Sequence, residues 1–265
     1  MINSILNKIY RLPLNNKQRF FFNNFISPKT NKQLAKEELK IVESLERDGF
    51  FVMNGKDILD IDTLRQETEK CFKDREKIEF TLQNNKIGFN GITYADTQML
   101  LNSAPIREFC ELKFFHTVAK AYLGINAKIG NISAWRTERF EFATNAQYFH
   151  RDFDNFKWLK IFVYLTDVHE ENGPHSYIPK SHHSEDFLSF KRIQDEDIVN
   201  LEKPVNIVGK AGTIIFADTF GIHKGVLPSE GFRDILQVTL SPNKVAFTDY
   251  KNLEIPKDNI WSLFR

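Results

Sequence analysis

Leu159-Lys160-Ile161-Phe162-Val163-Tyr164-Leu165-Thr166-Asp167-Val168 is a nearly continuous apolar run interrupted by one lysine. Its length and its β-branched and aromatic content predict a buried strand over 159–166. A loop then runs through Asn172-Gly173-Pro174, a turn signal. The lysine is costly there if it is buried without a partner. Outward from this run, the chain reads as further short strands. From Lys128 the period is two: Ile129, Asn131, Ser133 and Trp135 share one face, and Gly130, Ile132, Ala134 and Arg136 the other. Residues 50–53, 204–208, 213–216, 221–226 and 232–240 are strand-like as well. Many short strands with regular turns argue a sandwich or barrel. The 25 phenylalanines suit one whose facing sheets are filled by large rings. Helical patterns come earlier, over 32–47, 60–77 and 104–123, the last with Pro105 near its first turn and Gly124 past its end. Helices before a β core give an α+β fold. Between the second and third helices, 80–100 is irregular and polar, and reads as a lid.

Just before the central strand stands Tyr148-Phe149-His150-Arg151-Asp152. On an extended backbone, residues i and i+2 point the same way, so His150 and Asp152 can converge on one point. His223, in Phe220-Gly221-Ile222-His223-Lys224-Gly225, follows a strand-like run and can supply a third ligand. Two histidines and one carboxylate on one face of a metal leave positions open, which suits non-haem Fe(II). His169, His175, His182 and His183 compete for the third place, but they come too soon after Asp152 to lie on a strand returning across a sandwich. Arg233, in Phe232-Arg233-Asp234-Ile235, offers a planar guanidinium that can hold a carboxylate through two parallel hydrogen bonds.

The features occur in the order His150-x-Asp152, Asn172-Gly173-Pro174, His223, Arg233. With the run from Leu159 to Val168 and Ile178-Pro179-Lys180-Ser181-His182, the segment 140–240 resembles the phytanoyl-CoA dioxygenase-like family of Fe(II)/2-oxoglutarate oxygenases. That family usually has Gly where this chain has Lys180. The resemblance implies a double-stranded β-helix (jelly-roll) core at 126–245, a mainly helical part at 1–125 packed on it and a tail at 246–265, in one domain. It implies Fe(II) on His150, Asp152 and His223. It also implies 2-oxoglutarate and O2 as cosubstrates, and hydroxylation of a C–H bond with release of succinate and CO2. Arg233 is expected to anchor the distal carboxylate of 2-oxoglutarate. Lys160 is expected to share it, the alternative being a lysine facing solvent. Asn131 or Thr137 could reach the keto-acid end. Trp135, Arg136, Arg151 and Phe153 are candidates for shaping the substrate pocket. Halogenating relatives lack the carboxylate that Asp152 supplies here. A small polar metabolite is the expected substrate. The alternatives are a lipid or acyl carrier, and a metal-free binding protein that retains the fold.

At 265 residues, the chain can hold one large domain or two small ones, and no linker divides it. A formal net charge of +1 gives no field that favours nucleic acid or membrane as a whole. No apolar run approaches the roughly 18 residues needed to span a bilayer. Met1-Ile2-Asn3-Ser4-Ile5-Leu6 lacks the core of a signal peptide. Ile2, Ile5, Leu6 and Ile9 read as a short helix packing on the body, with a membrane-surface anchor as the alternative. Cys71 and Cys110 lie far apart in helical segments and read as buried free thiols, which places the chain in the cytoplasm.

Overall fold

The computed structural model describes residues 15–21, 34–72, 91–124, 127–153 and 157–241. The expected N-terminal helix, most of the expected lid and the C-terminal tail lie outside them.

The helices are α1 (Asn16–Phe21), α2 (Lys36–Asp48), α3 (Ile61–Lys70), α4 (Thr97–Asn102), α5 (Ala104–Cys110) and α6 (Lys113–Leu123). The strands are β1 (Phe50–Asn54), β2 (Ile92–Tyr94), β3 (Lys128–Glu138), β4 (Leu159–Tyr164), β5 (His175–Tyr177), β6 (Val205–Ile207), β7 (Thr213–Ala217), β8 (His223–Gly225) and β9 (Phe232–Ser241). Two sheets form: a six-stranded one in the order β1-β7-β4-β9-β3-β2, and a three-stranded one in the order β6-β5-β8. Every pairing is antiparallel. The fold is α+β with a double-stranded β-helix core.

The central strand explains the layering. On one face of β4, Leu159, Ile161 and Val163 pack with Phe216, Leu236 and Val238 beneath Ile41 and Leu45 of α2 and Phe115 and Val118 of α6. The opposite face puts Phe162 and Tyr164 against Tyr177 and Ile207 of the smaller sheet. Strand alternation thus divides one apolar run between two cores. The rings follow the same division. Phe115 and Phe216 meet edge to face at 5.7 Å under the helices, and Trp135 and Phe162 at 6.3 Å between the sheets.

Several expectations change. The register of β3 on β9 shifts between Ile129 and Asn131, so Ile129 packs toward the helix-side core instead of sharing a face with Asn131. The helix expected over 104–123 breaks at Glu111 and Leu112, and the break lets Phe109 and Phe115 pack edge to face at 5.3 Å. Residues 91–100, expected in a lid, include β2, which forms the sheet edge on β3. Strand β5 went unread because its three residues are too short to show a period. Cys71 and Cys110 are free and buried, as expected.

Candidate metal centre

His150 and His223 face each other across a two-way backbone bridge. His150 N–H donates to the His223 carbonyl at 2.9 Å, and His223 N–H to the His150 carbonyl at 3.0 Å. Asp152 N–H donates to the Thr219 carbonyl at 2.9 Å, so the segment after β7 clamps the whole His-x-Asp stretch. One potential donor atom from each of His150, Asp152 and His223 lies within 4.8 Å of the other two. His150 Nδ1 is 2.9 Å from the Tyr148 carbonyl, and His223 Nδ1 is 2.9 Å from the Gly221 carbonyl. A carbonyl can only accept, so each Nδ1 carries the proton and each Nε2 keeps a lone pair for a cation. These Nε2 atoms sit 3.6 Å from Asp152 Oδ1 (His150) and 3.5 Å from Asp152 Oδ2 (His223). Two imidazoles and one carboxylate so arranged fit a divalent transition metal with positions left open.

The protonation states agree with that fit. Burial, reinforced by His223, lowers His150 to about 3, with Asp152 opposing. Burial works against ionisation of Asp152, but the Lys160 ammonium and the two imidazoles outweigh it and hold the carboxyl well below its usual range. Neutral imidazole and ionised carboxylate are the forms that bind metal.

The trio borders a cavity of about 190 Å³ whose walls include Trp135, Gln147, Lys160, His175, Arg233 and Gln237. Arg233 is 3% exposed. It donates through Nη1 to the Gly173 carbonyl, which gives the Asn-Gly-Pro turn a positioning task. Its Nη2 lies 2.9 Å from where a Cβ on Gly225 would stand, so a side chain at 225 would press on the guanidinium. Gly225 comes two residues after His223, which puts Arg233 beside the trio.

Lys160 also faces the cavity and is 9% exposed, so the solvent-facing alternative does not hold. Its ammonium meets Asp152 Oδ2 at 2.6 Å. Lys160 stands opposite Thr239 on β9. Arg233 comes six residues earlier on that strand, roughly 20 Å at 3.3–3.4 Å per residue. The ammonium engages the ligand carboxylate, in the same cavity that Arg233 lines.

Other expected residues divide by strand face. Trp135 and Thr137 line the cavity; Asn131 does not. Arg136, expected at the substrate, points to the opposite face. It pairs with Asp234 at 2.6 Å and Glu69 at 2.7 Å, between the rings of Phe72 and Phe232. Arg151, one residue out of phase with its neighbours, turns away from the cavity. It donates to the carbonyls of Ser184, Asp186 and Phe220, and is 2% exposed. Phe153 is buried in a separate cluster with Phe20, Trp158 and Phe220. All three shape the scaffold, not the pocket.

His175 and Gln147 are among the cavity residues that escaped the sequence reading. His175, weighed only as a metal ligand, stacks between Phe162 at 4.9 Å and His223 at 5.5 Å, opposite Gly225. Its Nε2 is buried without a hydrogen-bond partner, and burial, His223 and Arg233 push its pKa well below the usual histidine value. Its place directly after Asn172-Gly173-Pro174 was the available signal. Gln147 accepts the Thr144 N–H through Oε1 at 2.7 Å, which leaves Nε2 buried without a partner. It precedes His150 by three residues. His182 and His183 both reach the Glu46 carbonyl at the end of α2, as loop-stabilising residues do.

Among solved structures, the chain is similar to the non-haem α-ketoglutarate-dependent epimerase SnoN from nogalamycin biosynthesis. The TM-score is 0.60 at 17% identity, covering 77% of this chain and 82% of that one. It is similar to the carbocyclase SnoK from the same biosynthesis, with TM-score 0.58 and 20% identity over 80% and 86% of the two chains. It is also similar to EctD from S. alaskensis with 2-oxoglutarate and 5-hydroxyectoine, with TM-score 0.58 and 20% identity over 91% and 87%. At these identities the likeness establishes the fold. No curated protein matches the chain by sequence. Residues 126–226 match the family model described as Phytanoyl-CoA dioxygenase (PhyH). Over that segment, which carries His150, Asp152 and His223, the chain is similar to the phytanoyl-CoA dioxygenase family.

Proposed function

We propose that this protein hydroxylates a C–H bond of a small polar metabolite, using Fe(II), 2-oxoglutarate and O2 and releasing succinate and CO2. The observation that carries this reading is the convergence of His150, Asp152 and His223 on one edge of a cavity that also holds Arg233. In this reading the three residues hold the iron and Arg233 takes the distal carboxylate of 2-oxoglutarate. Iron and 2-oxoglutarate supply the oxidising power when bound. The chain supplies the rest. Arg233 is held in position by Gly173, so little ordering is lost when it grips a carboxylate. Trp135 and Phe162 wall the cavity with apolar surface that excludes water. Ser133, Gln147 and Gln237 offer hydrogen bonds to a polar substrate, which supports a small metabolite over an acyl chain. Asp152 occupies the ligand position that halogenating relatives leave open, which favours oxygen insertion. We infer one domain, with the helices of 1–125 acting as support for the core.

Anaerobic titration tests the reading first: stoichiometric uptake of Fe(II) and then of 2-oxoglutarate is expected. Substrate-stimulated succinate release across amino acids, sugars and their nucleotide or acyl conjugates then finds the substrate. Under oxygen-18 gas in chloride buffer, the product should gain one oxygen-18 atom. A chlorinated product would overturn hydroxylation, and absence of metal uptake by the folded protein would overturn the whole reading. No described helix is long and apolar enough to cross a membrane.

A further inference from the structure

Lys160 is an ammonium inside a strand whose six residues are all buried. Burying a charge costs several kcal/mol unless it is paired. Its place is specified by the fold: alternation puts it with Phe162 and Tyr164 on the cavity face, opposite Thr239 and Ala217. From there it reaches Asp152 Oδ2 at 2.6 Å, an oxygen that also lies 3.5 Å from His223 Nε2, while Asp152 Oδ1 lies 3.6 Å from His150 Nε2. The two carboxylate oxygens are therefore unlike: one is held by an ammonium and the other is not.

We propose that Lys160 is a positioning residue that restricts Asp152 to one metal-ligating oxygen, Oδ1, and so keeps a coordination position free for the cosubstrate. This rests on the metal reading above. A carboxylate with both oxygens available can close on a cation through both and take up a position that a chelating 2-oxo acid needs. Lys160 opposes that closure in two ways. It occupies Oδ2 with a charge-assisted hydrogen bond, and its charge repels a cation that approaches Oδ2. Outer partners of metal-ligating histidines are commonly anions or carbonyls that strengthen the ligand, whereas a metal-ligating carboxylate accepts hydrogen bonds from its outer partners. A cation in that role weakens metal binding and favours openness. The two effects of its removal should therefore have opposite signs.

The test uses full-length Lys160→Met and Lys160→Gln, with folding checked by circular dichroism and thermal melting. Binding of Mn(II) is measured by competition with a chelating dye, and the Co(II) absorption spectrum reports coordination number. Binding of 2-oxoglutarate and of 2-oxobutanoate, which lacks the distal carboxylate, is then measured anaerobically on the metal-loaded protein. Lys160→Met should bind Mn(II) roughly tenfold more tightly, since one positive charge leaves the neighbourhood of the cation. It should bind both 2-oxo acids about 10- to 100-fold more weakly. Its Co(II) spectrum should change, and Lys160→Gln, which keeps a neutral N–H donor, should recover much of the 2-oxo acid binding. Weaker Mn(II) binding, or unchanged binding throughout, overturns the proposal. Loss of 2-oxoglutarate binding alone, with 2-oxobutanoate and Mn(II) unaffected, overturns it too and assigns Lys160 to the distal carboxylate. If the wild-type protein binds neither metal nor 2-oxo acid, the oxygenase reading itself fails.

Discussion

In the central strands β4, β7 and β9 of the six-stranded sheet, both faces are buried and they differ in chemistry. On the helix side, Leu159, Ile161, Val163, Phe216 and Leu236 form a dry core with α2 and α6. On the cavity side, the same strands bury Lys160, Arg233, Gln237 and Thr239. Apolar burial stabilises by about 25 cal/mol per Å², whereas a buried polar group with nothing to bond costs free energy. A face that buries Arg233 Nε, His175 Nε2 and Gln147 Nε2 without protein partners is built for something other than stability. Burial alone does not distinguish a core from a site; the hydrogen bonds left unmade do.

Substitutions on the two faces should separate stability from function. The largest effect is expected from Asp152→Ala, which should abolish Fe(II) uptake and succinate formation in a protein that still melts cooperatively. Two histidines alone hold the metal weakly. A variant that turns over normally would dissolve the distinction between the faces. On the other face, Phe216→Ala removes a fully buried ring and should cost about 3–5 kcal/mol. The 2-oxoglutarate dissociation constant of the folded protein should stay unchanged. Calorimetry paired with a binding titration reads both quantities, and a shift in binding would show that the faces are coupled through the strands.

Arg233→Ala is the cavity-side counterpart. It leaves a bound carboxylate without its fork and should weaken 2-oxoglutarate by about 2–3 kcal/mol, a factor of roughly 30 to 150. Isothermal titration on metal-loaded protein would measure this, and an unchanged constant would remove Arg233 from the site.

His182 tests a buried imidazole away from the cavity. Burial, with His183, lowers it to about 3. The unfolded chain takes up this proton near pH 6.5, well before the folded one does. Stability is therefore undisturbed above about pH 6.5 and falls as pH drops toward 3, by up to about 1.4 kcal/mol per pH unit. His182→Gln should flatten that acid slope in urea melts followed between pH 7 and pH 4. An identical slope would mean that other groups carry it. The smallest effect concerns Lys180, which holds φ at 64° where the family usually has Gly. Lys180→Gly should relieve a left-handed conformation and raise stability by up to about 1 kcal/mol, even though it loses an exposed pair with Glu202. A lower melting temperature would show that this pair, or chain stiffness, outweighs the strain.

Covalent geometry made part of this site legible in the chain alone. His150 and Asp152 share a face because strand side chains alternate, and Leu159 to Tyr164 reads as a strand because its apolar run is short and β-rich. The order of His150-x-Asp152, Asn-Gly-Pro, His223 and Arg233 then carried the family resemblance. Alternation also held the information that separates Trp135 from Arg136, and His150 and Asp152 from Arg151, but which face meets the cavity depends on what covers each side. Only the tertiary structure decided that Lys160 reaches Asp152, that His175 stands between His223 and Phe162, and that Phe153 belongs to another cluster. Those contacts depend on the register between strands far apart in sequence. Register is set by the sum of packing over both faces, and a one-residue slip would invert every one of them.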